Sequence, residues 1–433
     1  MNAQKANDTK VKARQLQNVL YLAAKEHPRR RFHALYDKVY REDVLWEAWK
    51  QVKASGGSGG VDGVTLHYIS QEYGAERFVD ELANKLRSGT YLPQPARRKE
   101  IPKPDGKTRS LGIPIIADRV VQMATKIVME PVFEADFKDF SYGFRPKRSA
   151  HDAIRHIRRA VKKGVYWVVD IDIRGYFDNI PHDKLMQLVE QRISDRRVLK
   201  LIRQWLKAGF VEDDQFHKTE IGSPQGGVIS PLLANIYLNY LDTIWEKKFT
   251  ETGTMVRYAD DLVILCKTKE QARRAIDVLK AVLGKLELEI NKEKSKVIHL
   301  WGAEEGFDFL GMHHRKIPKK LKGSREVHVL RSYPSRKAMK RMRARVKEVT
   351  EPRSRLYWTM NQMIQELNPK IQGWKNYYGF DVFATKFLNK IDWYIRKRLT
   401  LYWNKKRNRS HKQSQSRQAA AMAERAGLKK LAG

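Results

Sequence analysis

The sequence predicts an α+β protein, because it carries both helical and strand patterns. Apolar residues recur at helical spacing within 35–52, where one face of the predicted helix is apolar. That face comprises Val44, Leu45, Ala48, Trp49 and Val52. Apolar, β-branched runs bounded by turn residues at 166–173 and 255–265 predict buried strands. With 433 residues, 42% of them hydrophobic, the chain is long enough for two or three domains with separate cores.

The charge of the chain points to a polyanionic partner. Lys and Arg number 85 against 49 Asp and Glu, which gives a net charge of +36. Nucleic acid is the first candidate, and a membrane surface is the alternative. The sequence shows no lipidation signal, no apolar stretch of spanning length and no signal-peptide core, so we expect no membrane partner. Cys266 is the single cysteine, which excludes internal disulfides and multi-cysteine zinc sites and fits a reducing cytoplasm.

Two groups of acids end predicted strands. Asp260 and Asp261 follow Tyr258 in a strand–turn–strand pattern. Taken alone, the tetrapeptide 258–261 is better interpreted as a solvated turn. Asp172 ends a second apolar strand, and a buried strand does not tolerate Asp without a stabilising partner. A bound divalent cation would offset the repulsion between such carboxylates.

A basic hairpin is predicted at 101–109. Pro104-Asp105-Gly106 is a turn signal that places Lys103 and Arg109 on the two arms. Together a point charge and a bidentate guanidinium can hold a polyphosphate, although in isolation the segment is an ordinary charged hairpin. The glycine-rich stretch 56–63 is not a phosphate-binding loop, because its glycine spacing fails, and we interpret it as a structural or nucleic-acid-contacting loop.

The remaining segments follow the same patterns. A weakly patterned, partly ordered basic helix is expected at 1–30, and clearer helices at 118–133, 149–163 and 229–241. Leu286 to Ile290 alternates as a strand. From Lys316 the composition becomes strongly basic, with a one-sign helix at 336–345. Aromatic residues interleave with bases over 356–403 and serve as core or as stacking platforms for bases. A loosely ordered tail is expected at 405–433.

Acids on two separate strand ends, a basic hairpin and a basic surface form one coherent site for nucleotidyl transfer. Two Mg²⁺ ions ~4 Å apart can activate a 3′-hydroxyl and stabilise a leaving pyrophosphate. Magnesium needs few protein ligands, because the substrate phosphates supply others. Lys103 and Arg109 would hold the triphosphate by charge.

Motifs at defined positions resemble one known family. They lie at 60–63, 111–114, 142–146, 170–180, 222–227, 230–235, 258–261, 291–294, 307–311, 368–369 and 373–378. Over about residues 35–405, the chain resembles group II intron-encoded proteins, in which a reverse transcriptase is fused to a maturase domain. The resemblance implies a right-hand polymerase fold. Fingers and a palm, built from an antiparallel sheet plus helices, precede an α-helical thumb or maturase domain.

The resemblance also implies a division into four segments. Residues 1–85 form an N-terminal extension with basic helices and a Gly-rich loop, and 86–315 form the fingers and palm. Residues 316–410 form the RNA-binding thumb or maturase domain, and 411–433 a basic flexible tail. Many relatives carry a C-terminal metal-dependent endonuclease with paired cysteines, which we expect this chain to lack.

By the same resemblance, Asp172, Asp260 and Asp261 are catalytic metal ligands, with the carbonyl of Ile173 as a main-chain ligand. Phe177 would lie under the sugar of the incoming nucleotide, where its ring leaves no room for a 2′-hydroxyl. The other nucleotide-binding residues are Lys103, Arg109, Gln225, Tyr258 and Lys294. The nucleic-acid-binding residues are Arg145, Arg336, Lys340, Arg341, Arg343, Trp374, Lys375 and Tyr377.

The resulting functional hypothesis is an RNA-directed DNA polymerase that also binds group II intron RNA to promote splicing and retrohoming. The cofactor is two Mg²⁺ ions, with Mn²⁺ as a substitute. The partners are intron RNA, an RNA template with a DNA or RNA primer, target DNA and dNTPs. The expected location is the bacterial cytoplasm, in association with the nucleoid. The alternatives are a domesticated or defence-associated reverse transcriptase, and an RNA-binding splicing factor without polymerase activity.

Overall fold

The structure is a computed structural model that describes residues 3–102, 108–223, 226–300, 305–320, 326–407 and 413–432. Its helices are α1 (Ala3–Glu26), α2 (Tyr36–Val39), α3 (Glu42–Ser55), α4 (Leu66–Tyr68), α5 (Ala75–Ser88), α6 (Ile116–Glu134), α7 (Ala150–Lys162), α8 (His182–Glu190), α9 (Arg196–Lys207), α10 (Ser230–Lys248), α11 (Lys269–Lys285), α12 (Arg336–Thr350), α13 (Met360–Tyr378), α14 (Thr385–Lys406) and α15 (Gln413–Arg425). A π-helical turn covers Ile69–Tyr73, and 3₁₀ turns cover Tyr176–Asn179, Arg353–Arg355 and Val382–Ala384.

The strands form three sheets. They are β1 (Ala96–Pro102), β2 (Thr108–Ile113), β3 (Trp167–Ile171), β4 (Phe210–Glu212), β5 (Gln215–His217), β6 (Thr254–Tyr258), β7 (Asp261–Cys266), β8 (Lys296–His299), β9 (Phe307–Phe309), β10 (Met312–Lys320) and β11 (Glu326–Pro334). The strand orders are β2-β1-β4-β5, β6-β7-β3-β8 and β11-β10-β9. The two strands of the predicted basic hairpin are confirmed, because β1 and β2 pair antiparallel with Ile101 opposite Arg109, while its turn at 103–107 lies outside the described residues.

The chain divides into two compact units. The first comprises Met1–Ser149, Ile171–Ile264 and Arg273–Ser295, and the second comprises Ala150–Asp170, Leu265–Ala272 and Lys296–Gly433. The four functional domains expected from the sequence stay a prediction.

The first unit is built around α6, in which most residues are buried. α1 and α3 both pack against it. In α1, the residues at helical spacing that turn inward are Ala13, Leu16, Leu20 and Ala24. The N-terminal segment is therefore a continuous helix with a buried face, where only a partly ordered helix was expected.

The second unit combines the β9–β11 sheet with α7 and the helices α12–α15. Its core includes Met312 from β10, Met342 from α12, Leu367 from α13 and Ile391 from α14. α13 begins at a capping box, in which Thr359 and Gln362 each satisfy the other's backbone N–H.

Two expectations about local structure are corrected. Residues 286–290 are a turn leading to a single bridge between Ile290 and Ile173, and Glu287 has φ +54°. The alternation of leucines there reflects two buried side chains after the end of α11. The expected loose tail contains α15, which packs on α14, with Ala419 and Ala423 buried.

The α+β class is confirmed by this arrangement. Both strands around the acidic turn at 259–260 form as expected, as do the predicted helices at 118–133, 149–163, 229–241 and 336–345. Among the described residues, no helix is both long enough and apolar enough to cross a membrane.

Candidate active site

The three acids singled out by the sequence lie at the ends of neighbouring strands. Asp172 directly follows β3, Asp260 lies in the turn between β6 and β7, and Asp261 is the first residue of β7. Because β7 is next to β3 in the sheet, Asp172 and the acidic pair come from sequence-distant segments to one region. All three belong to the first unit.

The three carboxylates lie close enough to influence one another electrostatically. Desolvation raises the pKa of Asp260, and the nearby carboxylate of Asp172 adds to the rise, whereas Arg109 and Arg257 oppose it. Desolvation and the charges of Asp260 and Asp172 raise the pKa of Asp261 to about 6, against a lowering effect of Lys294. A bound cation would offset both the burial of these carboxylates and their mutual repulsion.

Asp172 is oriented by the segment that follows α11. The side-chain amide of Asn291 donates to Asp172 Oδ2 at 3.1 Å, and Lys294 Nζ lies 3.7 Å from the same oxygen. The backbone N–H of Asp172 donates to Ser295 Oγ at 3.2 Å, and the N–H of Asn291 donates to the Asp172 carbonyl at 2.8 Å. Lys294, predicted to contact nucleotide, thus faces a predicted metal ligand here.

The donor set suits magnesium, although it is not a closed protein cage. In the described part of the chain, no three His, Cys, Asp or Glu side chains lie together as a metal-ligand group. Magnesium retains waters and substrate phosphates, so a site with two or three carboxylates fits it when the substrate supplies oxygens. The oxygen-only donors and the raised pKa values of Asp260 and Asp261 both match such an ion.

The acidic turn rests on a buried arginine that the sequence reasoning missed. Arg257, the penultimate residue of β6, is fully buried and donates to the Ala259 carbonyl at 2.8 Å. It also donates to Asn235 Oδ1 at 3.1 Å and to the carboxylate of Asp242, with Nε 2.9 Å from Oδ1. The sequence does hold a signal for this pair. Asp242 in α10 and Arg257 in β6 are opposite charges that each lie within an apolar run.

Gly143 packs against the same turn and helps to fix it. Asn235 donates its side-chain amide to the Gly143 carbonyl at 2.8 Å. A Cβ on Gly143 would lie 2.3 Å from the backbone nitrogen of Ala259 and 2.9 Å from the carbonyl carbon of Tyr258. Ala259 itself has φ +56°, an unusual conformation for a residue other than glycine. The turn is therefore held by close backbone packing as well as by Arg257.

The structure describes some of the predicted nucleotide-binding residues but not all of them. Arg109 lies on β2, exposed and close enough to Asp260 to affect its pKa. Phe177 is half-buried in the 3₁₀ turn after Asp172, and its carbonyl accepts from Ser223 N at 2.8 Å. Tyr258 ends β6 and is half-buried. Lys103 and Gln225 lie outside the described residues.

Arg145 does not fit the predicted role in nucleic-acid contact. Its side chain is 2% exposed and pairs with Glu134 at 2.7 Å. It also donates to the carbonyls of Lys138 and Ser141, so its guanidinium is occupied within the first unit. Because its guanidinium is buried in this ion pair, we interpret Arg145 as a structural residue.

The predicted nucleic-acid residues of the second unit differ in exposure. The exposed side chains on α12 include Arg336, Lys340, Arg341 and Arg343. On α13, Trp374, Lys375 and Tyr377 are half-buried, and the Tyr377 hydroxyl donates to the Leu310 carbonyl at 2.7 Å. Trp374 and Tyr377 pack against the core of that unit.

Comparison with known proteins identifies the two regions. A family described as "Reverse transcriptase (RNA-dependent DNA polymerase)" matches residues 101–314. A family described as "Group II intron, maturase-specific domain" matches residues 339–420. The reverse transcriptase match includes all three acids.

Individual relatives are similar over different lengths. Protein YkfC of Escherichia coli (strain K12) is 36% identical over 362 residues, covering 75% of this chain and 93% of the relative. Group II intron-encoded protein LtrA of Lactococcus lactis subsp. cremoris is 42% identical over 214 residues, covering 49% of this chain. That match spans 35% of LtrA, about a third of its length.

One solved structure, a telomerase from Candida albicans in complex with a fragment of telomeric RNA, has 14% identity and a TM-score of 0.43. The match covers 81% of this chain and 65% of that chain. Two findings decide the family of the chain. They are the two family matches and the 36% identity to Protein YkfC, which is covered almost entirely. The chain therefore belongs to the group II intron reverse transcriptase/maturase family and has the α+β right-hand polymerase fold with a helical maturase domain.

Proposed function

We propose that this chain is an active RNA-directed DNA polymerase that uses two Mg²⁺ ions held by Asp172, Asp260 and Asp261, with the Ile173 carbonyl as a main-chain ligand. The observation that carries the proposal is the placement of these acids at the ends of neighbouring strands, with desolvation and mutual repulsion raising the pKa of Asp260 and Asp261. When bound, the ions would supply charge neutralisation at the primer hydroxyl and at the nucleotide phosphates.

The protein's own groups then position the reactants. Arg109, beside Asp260, binds the anionic triphosphate, together with Lys103. Phe177 lies under the sugar and excludes a 2′-hydroxyl, with Gln225 and Tyr258 bordering the nucleotide and the primer end. Asn291 and Lys294 keep the carboxylate of Asp172 in place. Positioning and electrostatics together account for catalysis of nucleotidyl transfer.

We further propose that the chain binds group II intron RNA and supports splicing and retrohoming. The basic face of α12 supports this part of the proposal, because its exposed arginines and lysines present charge of mainly one sign to solvent. Trp374 and Lys375 are half-buried on α13 of the same unit. Template RNA, primer and target DNA are further partners in this proposal.

Primer extension tests the polymerase. The full chain is supplied with a primed RNA template, dNTPs and Mg²⁺, alongside the Asp260→Ala variant and a reaction containing EDTA. We expect extension by the wild type only, and only with the metal. Efficient extension by Asp260→Ala would contradict the assignment. Absence of extension by a folded wild type that still binds RNA would favour a splicing factor with a silent polymerase.

A further inference from the structure

A basic surface in the first unit lies outside every site described above. It is formed by one face of α9, which we call the α9 stripe and define as Arg196, Lys200, Arg203 and Lys207. All four side chains are exposed. They follow one another at intervals of four, three and four residues, so they line one side of the helix over ~16 Å.

Few acids balance this stripe. Arg203 pairs with Glu190 at the end of α8. In the parts of the chain that the structure describes, no carboxylate forms an ion pair with Arg196, Lys200 or Lys207. An exposed helix face that only stabilises itself usually carries both signs of charge.

A second basic segment continues the surface. The N–H of Phe32 donates to the Arg192 carbonyl at 2.8 Å, which places the run Arg29–Arg30–Arg31 beside the turn that precedes α9. Arg31 Nε donates to the Glu190 carbonyl at 2.9 Å. The positive charge therefore extends from the loop after α1 to the stripe.

An apolar floor adjoins the stripe. Leu92 is 69% exposed, and with Pro93 it lines a shallow basin of about 460 Å³ whose rim includes Lys200, Arg203 and Lys207. The exposed leucine places an apolar surface directly beside three cationic side chains. Such a combination suits a ligand that has both phosphates and flat apolar faces.

The surface is firmly held. The buried face of α9 packs into the unit through Leu199, Ile202 and Leu206, and Asp195 caps the helix by accepting from Arg197 N at 3.0 Å. Trp205 Nε1 donates to the hydroxyl of Tyr91 at 3.1 Å. Because Tyr91 precedes Leu92, the floor and the stripe are tied to each other before any ligand arrives.

We infer that the α9 stripe and the Leu92–Pro93 floor form a docking surface for a single-stranded segment of RNA. Phosphates contact Lys200, Arg203 and Lys207, and an unstacked base lies on Leu92. A duplex hides its base faces, so it would use the charges and leave the floor empty. This inference rests on the proposed RNA partner and adds a contact surface to it.

The test removes three charges while keeping the helix. The full-length variant Lys200→Gln/Arg203→Gln/Lys207→Gln is compared with wild type and with a matched control on α11, Arg273→Gln/Arg274→Gln/Lys280→Gln. The control removes the same charge from other exposed positions. Glutamine has a helix propensity close to that of lysine and arginine, and thermal unfolding confirms that each variant folds.

Affinity for a short unpaired RNA oligonucleotide is measured against salt concentration. Each lost phosphate contact lowers the slope of log affinity against log salt by ~0.7 for a single strand. We expect the stripe variant to lose ~2 of this slope and the control to keep the wild-type slope. A 4-thiouridine-labelled RNA should also crosslink near Leu92 in the wild type, and much less in the stripe variant.

Two outcomes separate this inference from the proposed function. If the wild type binds RNA but the stripe variant matches the control in slope and crosslinking, the docking surface is overturned and the proposed RNA partner stands. If the wild type itself fails to bind RNA, the proposed function fails with it.

Discussion

Arg257 and Asp242 form an ion pair in which both side chains are almost completely removed from solvent, at 1% and 0% exposure. The same guanidinium donates to the Ala259 carbonyl, one residue before Asp260. This relationship ties the acidic turn to α10. An arginine that is ion-paired and makes several hydrogen bonds can occupy a core position that an unpaired one cannot.

Removal of the acid from this pair should destabilise the protein. In Asp242→Ala, Arg257 stays buried without its counter-charge, and the free energy of unfolding should fall by about 3–5 kcal/mol. Urea denaturation followed by circular dichroism measures the change. The double variant Asp242→Leu/Arg257→Met removes both charges and should recover much of the loss; equal instability of the single and double variants would contradict this explanation.

Gly143→Ala should impair polymerisation while leaving the fold largely intact. The added Cβ cannot be accommodated 2.3 Å from the Ala259 nitrogen, so the turn that carries Asp260 must shift. We expect single-nucleotide incorporation to slow by about 100-fold, the size of effect that misplaced catalytic groups produce. Gly284→Ala is the control, since its Cβ meets no atom within 4 Å. Similar rates for the two variants would show that Gly143 does not position the turn that carries Asp260.

Phe177→Ala should weaken the discrimination against ribonucleotides. The ring is held edge-on to Tyr176, with 5.3 Å between ring centroids, and removing it opens space where the proposal places the sugar. The ratio of kcat/KM for dNTP over NTP should fall by about 10- to 100-fold. Phe216→Ala, which removes an exposed ring on β5, should leave the ratio unchanged. An unchanged ratio in Phe177→Ala would exclude it as the residue that contacts the sugar.

His314 should make the stability of the protein depend on acidity. Burial lowers the pKa of this imidazole from 6.5 to about 3 in the folded chain. Below pH 6.5 the imidazole therefore binds a proton in the unfolded state but not in the folded state. The free energy of unfolding then decreases as the pH falls from 6.5 towards 3. The contribution is ~1.4 kcal/mol per pH unit within that interval.

Urea unfolding of wild type and His314→Gln between pH 7 and 4.5 isolates this contribution. The variant lacks the imidazole and should lose stability less steeply on acidification. Parallel pH profiles for the two proteins would show that His314 accepts a proton in the folded state.

The acids and the basic hairpin could be predicted because their signals are local. Acids at the ends of apolar strands and a Pro-Asp-Gly turn between basic arms each occupy fewer than ten residues, and β1, β2, β3, β6 and β7 form where those signals lie. The proximity of Asp172 to Asp260 depends on the order of the strands in the sheet. Their proximity was expected from the family resemblance rather than from periodicity.

Other features depend on tertiary contacts that no local pattern reports. Arg145 lies in a matched motif, yet its guanidinium is buried against Glu134. Leu286 and Leu288 alternate like a strand because both are buried after α11 ends. α15 packs on α14 in a segment whose composition indicated a loose tail. In each case, burial against a distant element decides the structure.

The central claim is that Asp172, Asp260 and Asp261 act as one catalytic group. Single-turnover incorporation of one dNTP with Mg²⁺ tests it most directly, in Asp172→Asn, Asp260→Asn, Asp261→Asn and the control Asp214→Asn. Asp214 lies in the β4–β5 turn with φ +61°, a conformation that asparagine also adopts, so the control removes one charge without local strain. We predict that each of the three site variants loses at least about 1,000-fold in rate, the scale of lost electrostatic stabilisation, while Asp214→Asn keeps the wild-type rate. A site variant that incorporates nucleotide within tenfold of the wild-type rate would contradict the claim.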